Sequence, residues 1–175
     1  MNHRELKPAD YTAAEVASLL GLEPLPEEGG FFRRTAESAE AVPGGGRVYS
    51  VIYFLLTSDG FSAMHRLKAD EIWCFQAGDP VESLRLKPAG GGGWVKLGLN
   101  PLSTEWPQDV VRADTWQGTR LCAGGRWALV SCMVVPGFRW EDFELGERDA
   151  LVASHPEFAE GIRALTRTSP PPGDR

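Results

Sequence analysis

The chain has 175 residues, a formal net charge of −6 and a sequence pI near 5.1, and its scattered basic residues exclude a nucleic-acid surface, which needs a clustered positive field. That length fits one domain, and 42% hydrophobic residues are enough for a sizeable core. No run reaches the roughly 18 apolar residues of a membrane span, and the first twenty residues hold no uninterrupted apolar segment, so a soluble, cytoplasmic protein is expected.

TAAEVASLL (12–20) predicts a short helix. Thr12 is its N-cap, Glu15 completes a capping box, and Gly21 is its stop. LEPLPEEGG then breaks regularity with two prolines and two glycines. Eight strands follow, at 31–36, 47–57, 71–76, 81–87, 94–99, 109–113, 115–122 and 126–135. They are rich in Val, Ile, Phe, Tyr, Trp and Thr, and turn residues such as TSDG, AGDP and PAGGGG separate them. Many short strands with closely spaced turns predict a sandwich or barrel. WEDFEL and ERDALVASHPEFAEGIRALT read as helical. The boundaries are one domain over 1–165 and a disordered tail over 166–175, too poor in apolar residues to pack.

One hairpin is expected around Ala123-Gly124-Gly125, with Gln117 facing Ser131 and Trp116 facing Cys132. Gln117 and Ser131 then form a polar pair on one face, either inside the barrel or toward solvent. Cys74, Cys122 and Cys132 show no Cys-x-x-Cys spacing and are expected as reduced, mostly buried thiols.

The stretch FSAMHRLKADEIWCFQAGDP (61–80) carries the chemistry. It places His65, Asp70 and Glu71 beside a run that reads as a buried strand. Glu71, Trp73 and Phe75 share one parity, so Glu71 is expected in a poorly hydrated cavity that raises its pKa. Glu71 and His65 can then act as general acid and base, or hold a polar ligand, or merely pair with each other or with Arg66. Asp70 reads as a turn residue accepting backbone hydrogen bonds. Tyr53, Trp73, Phe75 and Trp116 are candidate ring-stacking walls or ordinary core. Phe138 is placed to cover the barrel mouth or to pin the C-terminal helices. Arg33 and Arg34 point to opposite faces of a strand, so at most one can meet an anionic ligand.

His65, Leu67, Glu71, Gly78 and Pro80, in that order, resemble the first cupin motif with Leu67 in place of its second His. More closely, S-x-x-H-x-x-x-x-D-E-x-W followed by Gly-Asp-Pro resembles the cupin-five domain family of unknown function. GLEPLPEEGGFFRRT, VIYFLLT, TWQ and ALVSCMVVPGFRWEDFEL agree with it, covering about residues 13–160. The resemblance implies an all-β, double-stranded β-helix (jelly-roll) barrel with short flanking helices. It also implies a homodimer and a small-molecule pocket in the barrel, without an assigned reaction. Cys74 stands where the family often has His, Arg112-Ala113-Asp114 replaces its Pro-Ala-Gly, and Gln117 stands where wider cupins have a metal-binding His.

A divalent metal would therefore have only His65, Glu71 and Gln117, two strong donors and one weak one, so no cofactor is expected. The resulting reading is a cupin that binds a small polar metabolite, sugar-like or a carboxylic acid, at His65, Glu71, Tyr53, Trp73, Phe75, Gln117, Ser131 and Phe138. If it is catalytic, it is a metal-free isomerase or epimerase with His65 and Glu71 moving the proton. The alternatives are a non-catalytic binding module and a metal-dependent enzyme with an incomplete ligand set.

Overall fold

A computed structural model describes residues 6–167. Helix α1 (Ala13–Leu20) forms as expected: Thr12 and Glu15 exchange capping-box hydrogen bonds, and Gly21 ends it in the left-handed conformation. The strands are β1 (Glu23–Pro24), β2 (Phe31–Glu37), β3 (Ser50–Thr57), β4 (Ser62–Leu67), β5 (Asp70–Gly78) and β6 (Val81–Leu86). They continue with β7 (Gly92–Leu97), β8 (Glu105–Trp106), β9 (Gln108–Val111), β10 (Trp116–Leu121), β11 (Trp127–Val135) and β12 (Phe143–Leu145). Two short helices follow, α2 (Arg148–Ser154) and α3 (Ala159–Ala164).

The strands build two six-stranded sheets, ordered β1-β2-β3-β11-β5-β9 and β12-β4-β10-β6-β7-β8. This is the expected jelly-roll sandwich. Phe54, Trp73, Val130 and Cys132 from the first sheet meet Val81 and Leu97 from the second in the barrel core.

Both sheets also bury part of their outer faces. Val16 of α1 packs on Leu55, Trp127 and Leu129 behind the first sheet. Leu151, Ile162 and Leu165 cover Met64, Leu84 and Leu86 behind the second. A strand buried on both sides loses polar–apolar alternation. SVIYFLLT and SAMHRL show this: β3 is buried without a break from Phe54 to Thr57, and β4 from Ser62 to His65.

Four expectations change. SAMHRL, not among the eight expected strands, is itself β4. FEL, read as helical, is β12, which pairs with β4 from Phe143↔Leu67 to Leu145↔His65. The 115–122 and 126–135 segments do not pair as a hairpin. β10 joins β4 and β6, whereas β11 joins β3 and β5 in the other sheet, so the glycine turn crosses the barrel. Finally, Thr166 is buried and Arg167 donates to the carbonyls of Glu27 and Glu28, so the ordered chain runs past 165. The rest of the expected tail, 168–175, lies outside the described residues. Among the described residues no helix is long and apolar enough to cross a membrane.

Candidate functional site

The site begins with a register irregularity. Gln117 pairs with His65, but Thr119, two residues on, pairs with Ser62, three residues back. A β-bulge thus inserts one residue into β4. Gln117 and Thr119 share a face, so Ser62 and His65 both turn inward with them. The bulge also turns the Ala63 carbonyl toward the imidazole, where it lies 2.8 Å from His65 Nδ1. A carbonyl can only accept, so Nδ1 carries the hydrogen and Nε2 keeps its lone pair. That Nε2 faces a carboxylate oxygen, Glu28 Oε2, at 4.0 Å.

Glu71 reaches the same interior from β5, with Trp73 and Phe75 on its side. Its Oε2 accepts from Gln117 Nε2 at 2.6 Å. Gln117 Oε1 in turn accepts from Arg85 Nη1 at 2.6 Å. Arg85 is held by Asp109 Oδ2, at 3.3 Å from Nε and 3.2 Å from Nη2, and lies over the Trp73 ring. Because Arg85 claims the amide oxygen, Gln117 can present only its N–H to Glu71. Any proton on Glu71 therefore sits on Oε1.

Glu28 completes the group. Its Oε1 accepts from Ser62 Oγ at 2.7 Å. The loop that carries it is tightly wound, with positive φ at Glu27, Gly29 and Gly30. Arg167 clamps that loop through the Glu27 and Glu28 carbonyls, and Ala63 N–H donates to the Glu28 carbonyl at 2.8 Å. A Cβ at Gly29 would collide with Arg167 and the Phe61 carbonyl.

Burial governs the titration of all three groups. It pushes Glu71 up, opposed by His65 and reinforced by Glu28, with the Gln117 hydrogen bond and the nearby Trp73 indole favouring the anion. The Trp73 Nε1–H itself is buried and makes no hydrogen bond. Burial drives Glu28 up to about 7, against the Ser62 hydrogen bond and the Arg167 charge. Burial holds His65 below its usual value, against Glu71 and the Ala63 carbonyl, so the ring is neutral near pH 7.

Glu28, His65 and Glu71 line a cavity of about 370 Å³. Its walls are apolar, including Phe32, Ile52, Leu67, Val134, Phe138 and Phe143. Phe143 stacks on His65 at 5.2 Å, and Phe138 and Trp140 meet each other and Phe143 edge-on. Glu23, Arg34 and Trp140 are exposed members of the lining, while Arg33 lies on the other face of β2 over Tyr53. A larger groove of about 950 Å³ runs along the outer face of the first sheet and meets neither His65 nor Glu71.

The expected residues therefore divide. His65, Glu71 and Phe138 line the cavity. Gln117 lies behind Glu71 and orients it. Trp73 and Phe75 are inward but packed in the core, so they are not cavity walls. Tyr53 and Ser131 are corrected more fully. They pair with each other across β3 and β11 on the outer face, because Ile52 and Cys132, one residue away, take the inner one. Ser131 accepts from Gln76 there, and Tyr53 packs toward α1. Neither His65 nor Glu71 is tied to Arg66, which pairs with Glu144 and lies over Trp116. Asp70 accepts from the Ala113 N–H and from Arg112.

The donor set does not fit a metal. Gln117 Oε1 is bonded to a guanidinium, which would repel a cation placed there. Among the described residues no group of three or more His, Cys, Asp and Glu is arranged to hold an ion. Sequence reasoning missed Glu28, Arg85, Asp109 and Phe143. Glu28 stood in the quoted PEEGG segment, and nothing in that segment marked one of its two acids as inward.

A family model described as Cupin superfamily (DUF985) matches residues 14–146. The chain belongs to that family. An X-ray structure of a Shewanella oneidensis protein is 36% identical, with a TM-score of 0.85 over 91% of this chain and 99% of that one. A hypothetical protein from Leishmania major is 30% identical, with a TM-score of 0.82 over 89% and 99%. Oxalate decarboxylase from Bacillus subtilis shares the fold alone: 14% identity and a TM-score of 0.54 over 87% of this chain and 41% of that one. No curated protein matches the chain. In this cupin the segment holding Arg167 lies beyond the matched span.

The raised pKa of Glu28 makes a stability prediction. Between pH 4.5 and 7 the folded state holds a proton that the unfolded chain releases, so wild-type stability falls as pH rises through that window. Glu28→Gln removes the term. Its stability relative to wild type should grow by about 3 kcal/mol between pH 4.5 and 8, measured by urea unfolding. Parallel profiles would place Glu28 in water.

Proposed function

We propose that the barrel cavity binds a compact small molecule whose polar end rests on Glu28, His65 and Glu71 and whose body lies against Phe32, Phe138 and Phe143. The observation that carries this is the mixed lining: mainly apolar walls with the buried His65 and Glu71 and the neighbouring Glu28 among them. A free sugar, with hydroxyls on every side, suits such walls less well than a molecule with a single polar head.

A second reading, metal-free isomerisation or epimerisation, is favoured by the free Nε2 of His65 beside the acid Glu71. In that reading a ligand C–H bond breaks and its proton goes to Nε2. Glu71 donates the Oε1 proton to the ligand carbonyl oxygen, giving an enediol. The Nε2 proton then passes to the former carbonyl carbon while Glu71 takes back the proton of the other hydroxyl, which becomes the new carbonyl. With α-hydroxy carbonyl compounds in D2O, wild-type protein should then exchange the α-hydrogen, followed by NMR. Glu71→Gln should slow exchange by about 100-fold or more while retaining binding. Binding without exchange in the wild type would leave a non-catalytic module.

We also infer the homodimer that the family resemblance implies. Val51, Met133, Ile72 and Val110 form one lateral row on the outer face of the first sheet. Met133 is 37% exposed and Val110 42%, and no charge interrupts the row. Met133→Lys should convert a dimer into a monomer in light scattering. A wild-type monomer at micromolar concentration would refute the inference.

A further inference from the structure

Glu28 is the cavity group that the proton-shift reading leaves without work, and its surroundings say what it is for. Among the described residues its Oε2 has no hydrogen-bond donor. The nearest polar atom is His65 Nε2, itself a lone pair because Nδ1 holds the ring hydrogen. His65 is almost wholly buried and reaches the cavity. With Glu28 ionised, two acceptors thus face the same space, and at 4.0 Å no hydrogen bond joins them.

The cations nearby are all engaged elsewhere. Arg85 is bound to Asp109 and Gln117. Arg167 bonds backbone carbonyls rather than the Glu28 carboxylate. Arg34, an exposed member of the lining, pairs with Glu37. The cavity itself collects Glu23, Glu28 and Glu71 against Arg34 alone, with His65 neutral and the Cys132 thiol pushed well up by burial. Arg34, the one Arg or Lys of that lining among the described residues, is already paired with Glu37, so a carboxylate or phosphate finds no free cation there. Its walls show the rings of Phe32, Phe138, Trp140 and Phe143, and aromatic faces attract cations.

We propose that the ligand of this cavity is a small organic ammonium, an amine with an apolar body, whose N–H groups donate to Glu28 Oε2 and His65 Nε2. The proposal rests on the cavity being a small-molecule site and names the class it takes. Two acceptors about 2.8 Å from one tetrahedral nitrogen lie about 4.6 Å apart. The observed 4.0 Å is within a small adjustment of that spacing. Among the described residues no group of three or more His, Cys, Asp and Glu is placed to hold a metal ion there. Ammonium binding ionises Glu28, so it should release protons at pH 7.

The test is calorimetry on the full chain with three probes of one shape: 2-phenylethylamine, 2-phenylethanol and 3-phenylpropionate. The amine should bind at least tenfold more tightly than the alcohol, with proton release seen by comparing two buffers, and the carboxylate should not bind. Glu28→Gln, which can still accept from Ser62, should weaken the amine at least tenfold and leave the alcohol within twofold. If the alcohol or the carboxylate binds as well as the amine, the cavity stands and the ammonium proposal falls. If the variant binds the amine as wild type does, the proposal falls too. If none of the probes binds, both the proposal and the cavity reading fall.

Discussion

The interior depends on one amide. Gln117 accepts from Arg85 at one end and donates to Glu71 at the other, both at 2.6 Å, and it is almost wholly buried. Without it a guanidinium and a carboxyl would stand in a low-dielectric barrel with unmet hydrogen-bonding groups, each costing about 1–3 kcal/mol or more. With it, a chain from Asp109 through Arg85 and Gln117 to Glu71 is satisfied in one direction only. Polar networks that are complete in this way specify a unique interior. Here the network also decides which oxygen of Glu71 is left for the cavity.

The same logic explains how the polar groups come together. The β4 bulge places Ser62 and His65 on one side, β5 alternation supplies Glu71, and the clamped 25–30 loop brings Glu28 over them. Beyond them the lining is mostly apolar, with Glu23, Arg34 and Ser50 as its other polar residues. Burial then moves the carboxyls up and the imidazole down, so the charged form of each of the three groups is disfavoured. The outer layers serve this arrangement. Leu165 lends its carbonyl to the Met64 N–H, and two residues later Arg167 holds the Glu28 loop.

The all-β jelly roll and α1 with its caps were legible because each leaves a local signature. The strand carrying His65 was not, because both its faces are buried and SAMHRL does not alternate. Arg85 was hidden for a related reason. In VESLRL the leucines Leu84 and Leu86 look like the core face, yet they meet the C-terminal helices, and the opposite parity carries Ser83 and Arg85 inward. Tyr53 and Ser131 failed the other way: period 2 assigns them to one face without saying which lies inside. The hairpin failed because a short glycine turn between two strands does not say whether they share a sheet.

The account's central claim is that His65 is a neutral, Nδ1-protonated base buried beside two raised carboxyls. Long-range 15N NMR of the imidazole rings, with His65 assigned by a His65→Asn variant, reads this directly. The prediction is a ring that is hydrogen-bearing at Nδ1 and bare at Nε2 at pH 7, and that resists protonation well below the usual histidine range. An imidazolium at pH 7, or a hydrogen on Nε2, would contradict it.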